Sequence, residues 1–389
     1  MRNRQIYQSD VLILNDGTTS PDSAISTGEM VQLTRVQDGS FGFQISRESV
    51  NQWGQGGRID SLVRNSPDVT ADFTYLLSNF RNEVNLGFHL SNDFSESFTK
   101  RLLSTSETGV GNISAAAQSG RNYTILTCDE GNDANIGGFP LGAGATSLSI
   151  GKAYLTDYSI EAAVGSIPTA SFSIKGSNLK GQNQTVPSGQ VLLVDSPFAD
   201  EGGESANKIS VDVSATSPLL TPQTGSSEFL PSALRPGDIT LDLGDAAVLT
   251  DLLDASPGTA AHIQSFSMNI PFSRSSLERL GNNFAYAEAV DFPIEVTINI
   301  SAIVADLKAA GSVYDELING TKSNIGITFN NKAGNPVMKY IIKGCENESE
   351  SFSQSIGSNK TVDMVFSAQI GGPLDLNAGV FASGKTISA

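Results

Sequence analysis

Alternating apolar and polar residues mark several segments of the chain as β-strands with one buried face. Residues 68–77 have an apolar side chain at every second position: Val69, Ala71, Phe73, Tyr75 and Leu77. The same alternation appears at 295–301, 169–174 and 361–368. A period of two is typical of a strand with one face toward a core. Antiparallel sheets of this kind pack face to face, so the pattern predicts a mainly β protein built from β-sandwiches.

Two blocks of sequence recur in the same order. Ile45–Gly54 reads ISRESVNQWG and Phe272–Gly281 reads FSRSSLERLG, an offset of 227 (272 − 45) that also places 68–74 on 295–301. Residues 159–172 recur at 351–364 with an offset of 192. The difference of 35 predicts extra material between Phe88 and Thr146. Internal repeats of this kind indicate duplication. Chance similarity is the competing explanation, because only seven of 33 positions in 45–77 are identical.

The duplication predicts two related domains and a connector. We expect a first β-sandwich domain at 1–180, a connecting segment at 181–236 and a second β-sandwich domain at 237–389. The connector is rich in Ser, Gly, Pro and Thr, with strand patterns at 190–195 and 208–213. Each domain is expected to carry a short flanking helix. The first is predicted over 80–86, and its counterparts over 302–310 and 313–318.

The acidic composition narrows the function classes. The chain has 41 Asp and Glu against 24 Lys and Arg, a formal charge of −17. Proteins that bind nucleic acid or anionic membranes need clustered cations, so the composition disfavours both of these classes of protein. No run of 18 apolar residues spans a bilayer, and the N-terminal residues have no apolar stretch. We therefore expect no membrane partner and no secretory signal.

Candidate catalytic and metal sites do not meet their chemical requirements. The Gly-rich stretch 137–146 lacks the Lys-Ser/Thr ending of a phosphate-binding loop. An EF-hand beginning at Asp129 would need a carboxylate where Pro140 stands, so Asp129–Asp133 is expected to be a solvated turn, with an irregular calcium site as the alternative. The two cysteines and two histidines have no partners at ligand or nucleophile spacing. The sequence predicts no enzyme, no cofactor and no metal.

The second repeat carries a resemblance to a known family. Residues 265–281, 284–286 and 292–298, followed by 340–345, 351–357 and 360–370, resemble the major tail (tail tube) proteins of long-tailed bacteriophages. The resemblance implies a β-sandwich with a flanking helix and rings of six domains stacked into a tube. A duplicated chain would then form a homotrimeric, pseudo-hexameric ring in the virion tail, assembled in the host cytoplasm. Its implied partners are the tape measure, terminator and distal tail proteins.

The polar side of the alternating strands is a candidate lining for such a tube. The candidate lumen-facing residues are Asp68, Thr70, Asp72, Glu295, Thr297 and Asn299. A polar, mildly acidic bore would repel phosphates and let genomic DNA pass without adhering during ejection. An ordinary outer solvent surface is the alternative.

Two segments of about twenty residues, 46–66 and 273–291, are expected to be long loops that reach a neighbouring subunit or ring. Their candidate contact residues are Arg47, Trp53, Gly54, Arg274, Leu280 and Gly281. The glycines would permit the turns. Salt bridges of the two arginines within their own domains are the alternative. For the whole chain, the alternative functions are another virion β-sandwich, such as a baseplate hub or capsid decoration protein, and a carbohydrate-binding module.

Overall fold

Antiparallel strands make up most of the chain, which confirms the predicted mainly β fold class. The computed structural model describes residues 10–16, 30–63, 66–103, 120–129, 132, 134, 144–186, 191–200, 202–213, 234, 236–242, 262–303, 322–331, 334–356, 359–372 and 375–384. No helix within these ranges is long and apolar enough to cross a membrane.

The first repeat contains nine strands and two short helices in the described ranges. They are β1 (Asp10–Asp16), β2 (Met30–Leu33), β3 (Val36–Gln44), β4 (Arg47–Val50), β5 (Asp60–Val63), β6 (Asp68–Leu76), α1 (Arg81–Leu86), α2 (Lys100–Leu103), β7 (Arg121–Cys128), β8 (Gly144–Ala163) and β9 (Thr169–Gly176). The following segment contains β10 (Asn178–Thr185), β11 (Val191–Asp195), β12 (Ala199–Asp200), β13 (Gly203–Glu204), β14 (Lys208–Asp212) and a 3-10 turn at Pro236–Asp238.

The second repeat contains nine strands in the described ranges. They are β15 (Ile239–Asp242), β16 (His262–Pro271), β17 (Arg274–Leu277), β18 (Ala287–Val290), β19 (Ile294–Ile303), β20 (Ser323–Asn330), β21 (Pro336–Ser353), β22 (Thr361–Ile370) and β23 (Gly379–Gly384). Residues 302 and 303 belong to β19, and the rest of the two helices predicted over 302–318 lies outside the described residues.

One eight-stranded sheet, here called the shared sheet, runs through both repeats. Its order is β3-β6-β9-β8-β16-β19-β22-β21, and all its neighbours are antiparallel. The two repeats meet where β8 pairs with β16. The N-terminal halves of the long strands β8 and β21 leave the shared sheet. They join two flanking sheets, β2-β1-β7-β8-β10 and β15-β20-β21-β23.

The strand bounds repeat at the offsets found in the sequence. The starts of β4 and β5 are related to those of β17 and β18 by the offset of 227 (274 − 47 and 287 − 60). The starts of β8 and β9 are related to those of β21 and β22 by the offset of 192 (336 − 144 and 361 − 169). Between these blocks, β7 and β20 have an offset of 202 (323 − 121). The extra length of the first repeat therefore divides into 25 (227 − 202) before β7 and 10 (202 − 192) after it.

The irregularities of the sheet repeat as well. The pairing of β3 with β6 skips Gln37, and the pairing of β16 with β19 skips Gln264, its equivalent at the offset of 227. The pairing of β8 with β9 skips Thr156, and that of β21 with β22 skips Glu348, its equivalent at the offset of 192. Bulges bend a strand at a fixed point and are specific features of a fold. Their recurrence supports duplication over chance similarity.

A single hydrophobic core lies behind the shared sheet and extends through both repeats. Helix α1, which confirms the helix predicted over 80–86, contributes a buried carboxyl group to it. Tyr75 Oη donates a hydrogen bond to Glu83 Oε1 at 2.8 Å, and Tyr158 Oη donates to the same oxygen at 3.1 Å. The hydroxyls of Tyr158 and Tyr340 lie 3.3 Å apart, which connects the two repeats. Burial raises the pKa of Glu83 to about 7.

The segment after β9 forms a second, smaller core against the first repeat. β11 pairs with β14, which confirms the strands predicted at 190–195 and 208–213 as far as they are described. Their inward side chains pack with Val11, Ile13 and Leu126 of the first flanking sheet. Strand β10 extends that flanking sheet across residue 180. The domain limits at 180 and 236 stay a prediction.

Candidate functional site

The polar face of the shared sheet contains the side chains predicted to line a bore. On β6, Asp68, Thr70 and Asp72 are exposed, whereas Val69 and Ala71 between them are buried. The alternation that predicted the strand therefore separates a solvent-exposed face from the core, as expected of a sheet with one solvated side.

The equivalent strand of the second repeat has the same arrangement. Glu295 and Asn299 are exposed on β19 and Thr297 is half-buried, while Val296 and Ile298 are fully buried. Because β6 and β19 belong to one sheet, all six predicted residues lie on one continuous face. The structure therefore brings them together. Their orientation toward a bore stays a prediction.

Hydrogen bonds across neighbouring strands fix the acidic groups of this face. Asp72 accepts hydrogen bonds from Ser173 Oγ at 2.6 Å and from Ser40 Oγ at 3.2 Å. Asp68 forms an ion pair with Lys175 at 3.1 Å. Cross-strand contacts of this kind hold side chains in place on a sheet surface. The carboxylates are therefore positioned by the sheet itself.

The face is strongly acidic. Over the described strands of the shared sheet, its charged side chains are carboxylates with the exception of Lys175. The carboxylates are Asp38, Asp68, Asp72, Asp157, Glu161, Glu295, Glu346 and Asp363. Partial burial and the neighbouring carboxylate of Asp72 raise the pKa of Asp157. A face with this excess of negative charge repels polyanions.

Both edges of the shared sheet expose apolar side chains. In the described residues, β3 pairs only with β6, and the C-terminal half of β21 pairs only with β22. Phe41 and Phe43 on β3 are 47% and 63% exposed, and Phe352 on β21 is 41% exposed beneath the ammonium group of Lys360. Unprotected edges with apolar side chains are sites where another strand adds.

The joint between the repeats shows how such edges are covered. In it, Met268 pairs with Ile160, and both are buried. By the offsets of 227 and 192, Met268 corresponds to Phe41 and Ile160 corresponds to Phe352. Sequence reasoning missed the phenylalanines. The signal was available in the duplication, because an exposed strand in one repeat aligns with a buried strand in the other.

The two predicted loops are β-hairpins. β4 pairs with β5 and β17 pairs with β18, each through four residues. The expectation of loops without secondary structure was wrong, because these short strands carry polar and exposed residues without the alternation that marks a buried face.

The hairpin tips carry the predicted turn glycines beside apolar residues. Gly54 and Gly281 have φ of 87° and 96°, the left-handed region that favours glycine, so their predicted role in the turn is confirmed. Trp53 and Leu280 next to them are fully exposed. Their contact with a neighbouring subunit stays a prediction.

The opposite end of the sheet also exposes apolar residues, among them an equivalent pair. Val164 follows β8 and Ile356 follows β21, where the chain turns into the next strand, and both are exposed. They are equivalent by the offset of 192. Each repeat therefore presents an apolar tip at both ends of its strands, and the sequence analysis missed this second pair.

The two predicted contact arginines have different surroundings. Arg274 is half-buried at the joint between the repeats: its guanidinium lies 5.0 Å from the ring centre of Tyr154, and its Nε donates a hydrogen bond to the carbonyl oxygen of Leu155 at 3.2 Å. Burial lowers the pKa of Arg274. Arg47, the equivalent residue of the first repeat, is exposed. A contact of either arginine with another subunit stays a prediction.

Other candidate sites have ordinary structural partners. The carboxylate of Asp129 accepts a hydrogen bond from the Gly144 amide, 15 residues further along the chain, at 3.0 Å. His89 Nε2 contacts the carboxylate of Glu96, and burial lowers the pKa of the imidazole. Among the residues that the structure describes, no three His, Cys, Asp or Glu side chains cluster as metal ligands. Most of the Gly-rich stretch 137–146 lies outside them.

Comparison with known proteins gives little. No family model and no curated protein matches the chain. Weak similarity exists to the tube-terminating cap of the anti-feeding prophage, at 13% identity and a TM-score of 0.29 over 42% of this chain and 98% of that one. The baseplate of the same particle is 11% identical, at a TM-score of 0.24 over 38% of this chain and 91% of the other. Likeness at these scores establishes no family.

Proposed function

We propose that the chain is a non-catalytic structural protein of a bacteriophage tail that assembles into closed rings stacked as the tail tube. The observation that carries the proposal is the pair of open edges of the shared sheet. Residues at these edges are exposed, while their equivalents at the joint between the repeats are buried. A neighbouring chain that pairs β21 with β3 would reproduce that joint.

Head-to-tail pairing of this kind uses two different surfaces, so it continues until it closes. Each chain contributes eight strands, and three chains would give a barrel of 24 strands (3 × 8) with six repeats. Closure covers both open edges of the shared sheet, which favours a ring over a monomer. The number three rests on the resemblance to phage tail tube proteins, in which six domains form a ring.

In such a ring the acidic face would line the bore. Three chains carry a formal charge of −51 (3 × −17). Carboxylates that are fixed by the sheet repel phosphates, so DNA would pass without adhering. The proposed relation to the genome is therefore passage during ejection, without binding. The tape measure, terminator and distal tail proteins are the proposed further partners.

Stacking of rings would use the two apolar ends of the strands. The hairpin tips carry Trp53 and Leu280, and the opposite turns carry Val164 and Ile356. Exposed apolar residues that recur at both ends fit a head-to-tail contact along an axis.

Negative-stain microscopy of the purified protein tests the proposal. Open-ended tubes or rings with six-fold-like symmetry are the expected result. Monodisperse monomers at all concentrations would overturn it, and closed shells or isolated decorations on a capsid would favour a different virion protein. Binding of sugars by a monomer would favour a carbohydrate-binding module.

A further inference from the structure

The hairpin β17–β18 lies at the end of the polar face and contacts the first repeat. Lys152 Nζ donates a hydrogen bond to the carbonyl oxygen of Ala285 at 3.2 Å. A cavity of about 240 Å³ lies between them. The carboxylates of Glu278 and Glu288 line it from the hairpin, opposite Lys152 and Lys175. Asp68, which pairs with Lys175, also lines the cavity on the side of the first repeat.

If a neighbouring chain formed the equivalent joint at the open edges, different side chains would meet there. At the position of Arg274, the hairpin β4–β5 carries Arg47. At the position of Tyr154, on which Arg274 stacks, β21 carries Glu346. An arginine that lies on an aromatic ring inside the chain would therefore meet a carboxylate between chains.

The surrounding positions change sign in the same way. The first hairpin lacks the carboxylates and gains a cation, and the strands opposite lack the lysines: Asn51, Arg58, Ser61, Gly344 and Ser367 replace Glu278, Ala285, Glu288, Lys152 and Lys175, respectively. Glu48 and Asp60 lie elsewhere on the hairpin, so at the compared positions it carries the cations Arg47 and Arg58, and the facing strand carries Glu346.

We propose that Arg47 of one chain forms an ion pair with Glu346 of a neighbouring copy of the same chain, and that this charge pattern selects which edge each hairpin contacts. The inference rests on the proposed ring and names the contact that closes it. Both side chains are exposed in the isolated chain, so both are accessible to a partner.

The pattern disfavours the wrong contacts as well as favouring the right one. If β17–β18 lay on β21, Arg274 would meet Glu346 as Arg47 does, but Glu278 and Glu288 would lie beside the same carboxylate. If β4–β5 lay on β8, Arg58 would face Lys152. Like charges brought together at an interface suppress incorrect partners. Each hairpin would therefore contact only its own edge, and the repeats would alternate around the ring.

Glu346 has a carboxylate oxygen for the new contact. In the described structure its Oε1 lies 2.7 Å from Lys322 Nζ, and both side chains are more than half exposed. Exposed pairs contribute little to stability. A guanidinium at the second oxygen, sheltered by the neighbouring hairpin, would form a stronger and more specific pair. Because it acts between chains, it would be weakened by salt.

Charge reversal tests the inference. We expect Arg47→Glu and Glu346→Arg, each alone, to lower the association constant for ring formation by about tenfold or more, as for other close charge pairs at interfaces. The double variant R47E/E346R should recover most of that loss. Lys208→Glu, at the exposed first residue of β14 where Lys208 pairs with Asp195, makes the same change in net charge as Arg47→Glu and should assemble like the wild type. Ring formation is measured by native mass spectrometry, and circular dichroism checks folding.

The outcomes separate this inference from the proposed function. If the wild type forms rings and the single variants form them equally well, the ion pair is wrong and the ring stands. The ion pair is also wrong if the single variants fold, lose assembly and are not rescued by the double variant. If a charge reversal prevents folding, Arg47→Gln is the milder test. We expect it to lower the association constant by a smaller factor, and an unchanged constant would show that the ion pair is wrong. If the wild-type protein stays monomeric, both the ion pair and the proposed ring are wrong.

Discussion

Phe41 and Met268 occupy the same position in the two repeats, yet Phe41 is 47% exposed and Met268 is fully buried. The difference is in what lies beside each strand. Met268 pairs with Ile160 across the joint, whereas β3 has no neighbour on its outer side among the described strands. This contrast is the one expected if a second copy of the chain covers β3, as proposed.

This contrast predicts that alanine at position 268 lowers the stability of the monomer, whereas alanine at position 41 weakens ring assembly. Met268→Ala should lower the free energy of unfolding of the monomer by about 2–5 kcal/mol, because it leaves a cavity in a packed core. Phe41→Ala should change monomer stability by less than about 1 kcal/mol and should weaken ring assembly. Urea denaturation and native mass spectrometry measure the two effects. If Phe41→Ala assembles like the wild type, β3 is not part of the interface.

The acidic face predicts a change in DNA binding without a change in assembly. Replacing Asp68, Asp72 and Glu295 by Lys should leave tubes intact and make them bind short duplex DNA, with binding lost at high salt. Cosedimentation of DNA with assembled tubes measures this, and wild-type tubes are the control. If the triple variant fails to assemble, these residues belong to an interface instead of a bore.

The buried carboxyl group of Glu83 predicts that stability falls as pH rises. Burial raises its folded pKa to about 7, above the ordinary value of 4.5, so the folded state binds the proton more tightly than the unfolded state. This favours folding below pH 4.5, and the advantage is lost between pH 4.5 and about 7, a change of about 3 kcal/mol.

Glu83→Gln should remove this pH dependence, because the amide keeps an acceptor for Tyr75 and Tyr158 and carries no charge. Urea unfolding between pH 4.5 and 8 measures it. An equal slope in the wild type and in Glu83→Gln would show that other groups cause the pH dependence.

The sequence predicted those parts of the fold that have a simple period. Strands β6, β19 and β9 alternate strictly because one face is buried, and β22 does so except near Val365 and Ser367. The alternation, aligned between the repeats, predicted the polar face. The hairpins and the role of the edge strands could not be predicted from such a period. Their residues are exposed in the single chain, so local patterning does not reveal whether a residue such as Phe352 faces solvent or a partner. Only comparison with its buried equivalent, Ile160, does so.

The proposed ring requires that β3 of one chain pair with β21 of the next in the register of the internal joint. There Ser267 lies opposite Glu161, which places Ser40 opposite Ser353 of the neighbour. Opposite residues in antiparallel strands are close enough for a disulfide. Within one chain, the two edges are separated by seven strand spacings of about 4.8 Å along the sheet, so a bond between them must join two chains.

Oxidative cross-linking of the variant Ser40→Cys/Ser353→Cys is therefore the most direct measurement. The two native cysteines are buried and free, and each single variant controls for them. We predict covalent dimers and trimers on non-reducing gels for this pair. We predict almost none for Ser40→Cys/Ser349→Cys, in which the second position is shifted along the strand by about 13 Å. A Ser40/Ser353 pair that stays monomeric while the wild type forms rings, or that cross-links no better than the shifted pair, would contradict this pairing of β3 with β21.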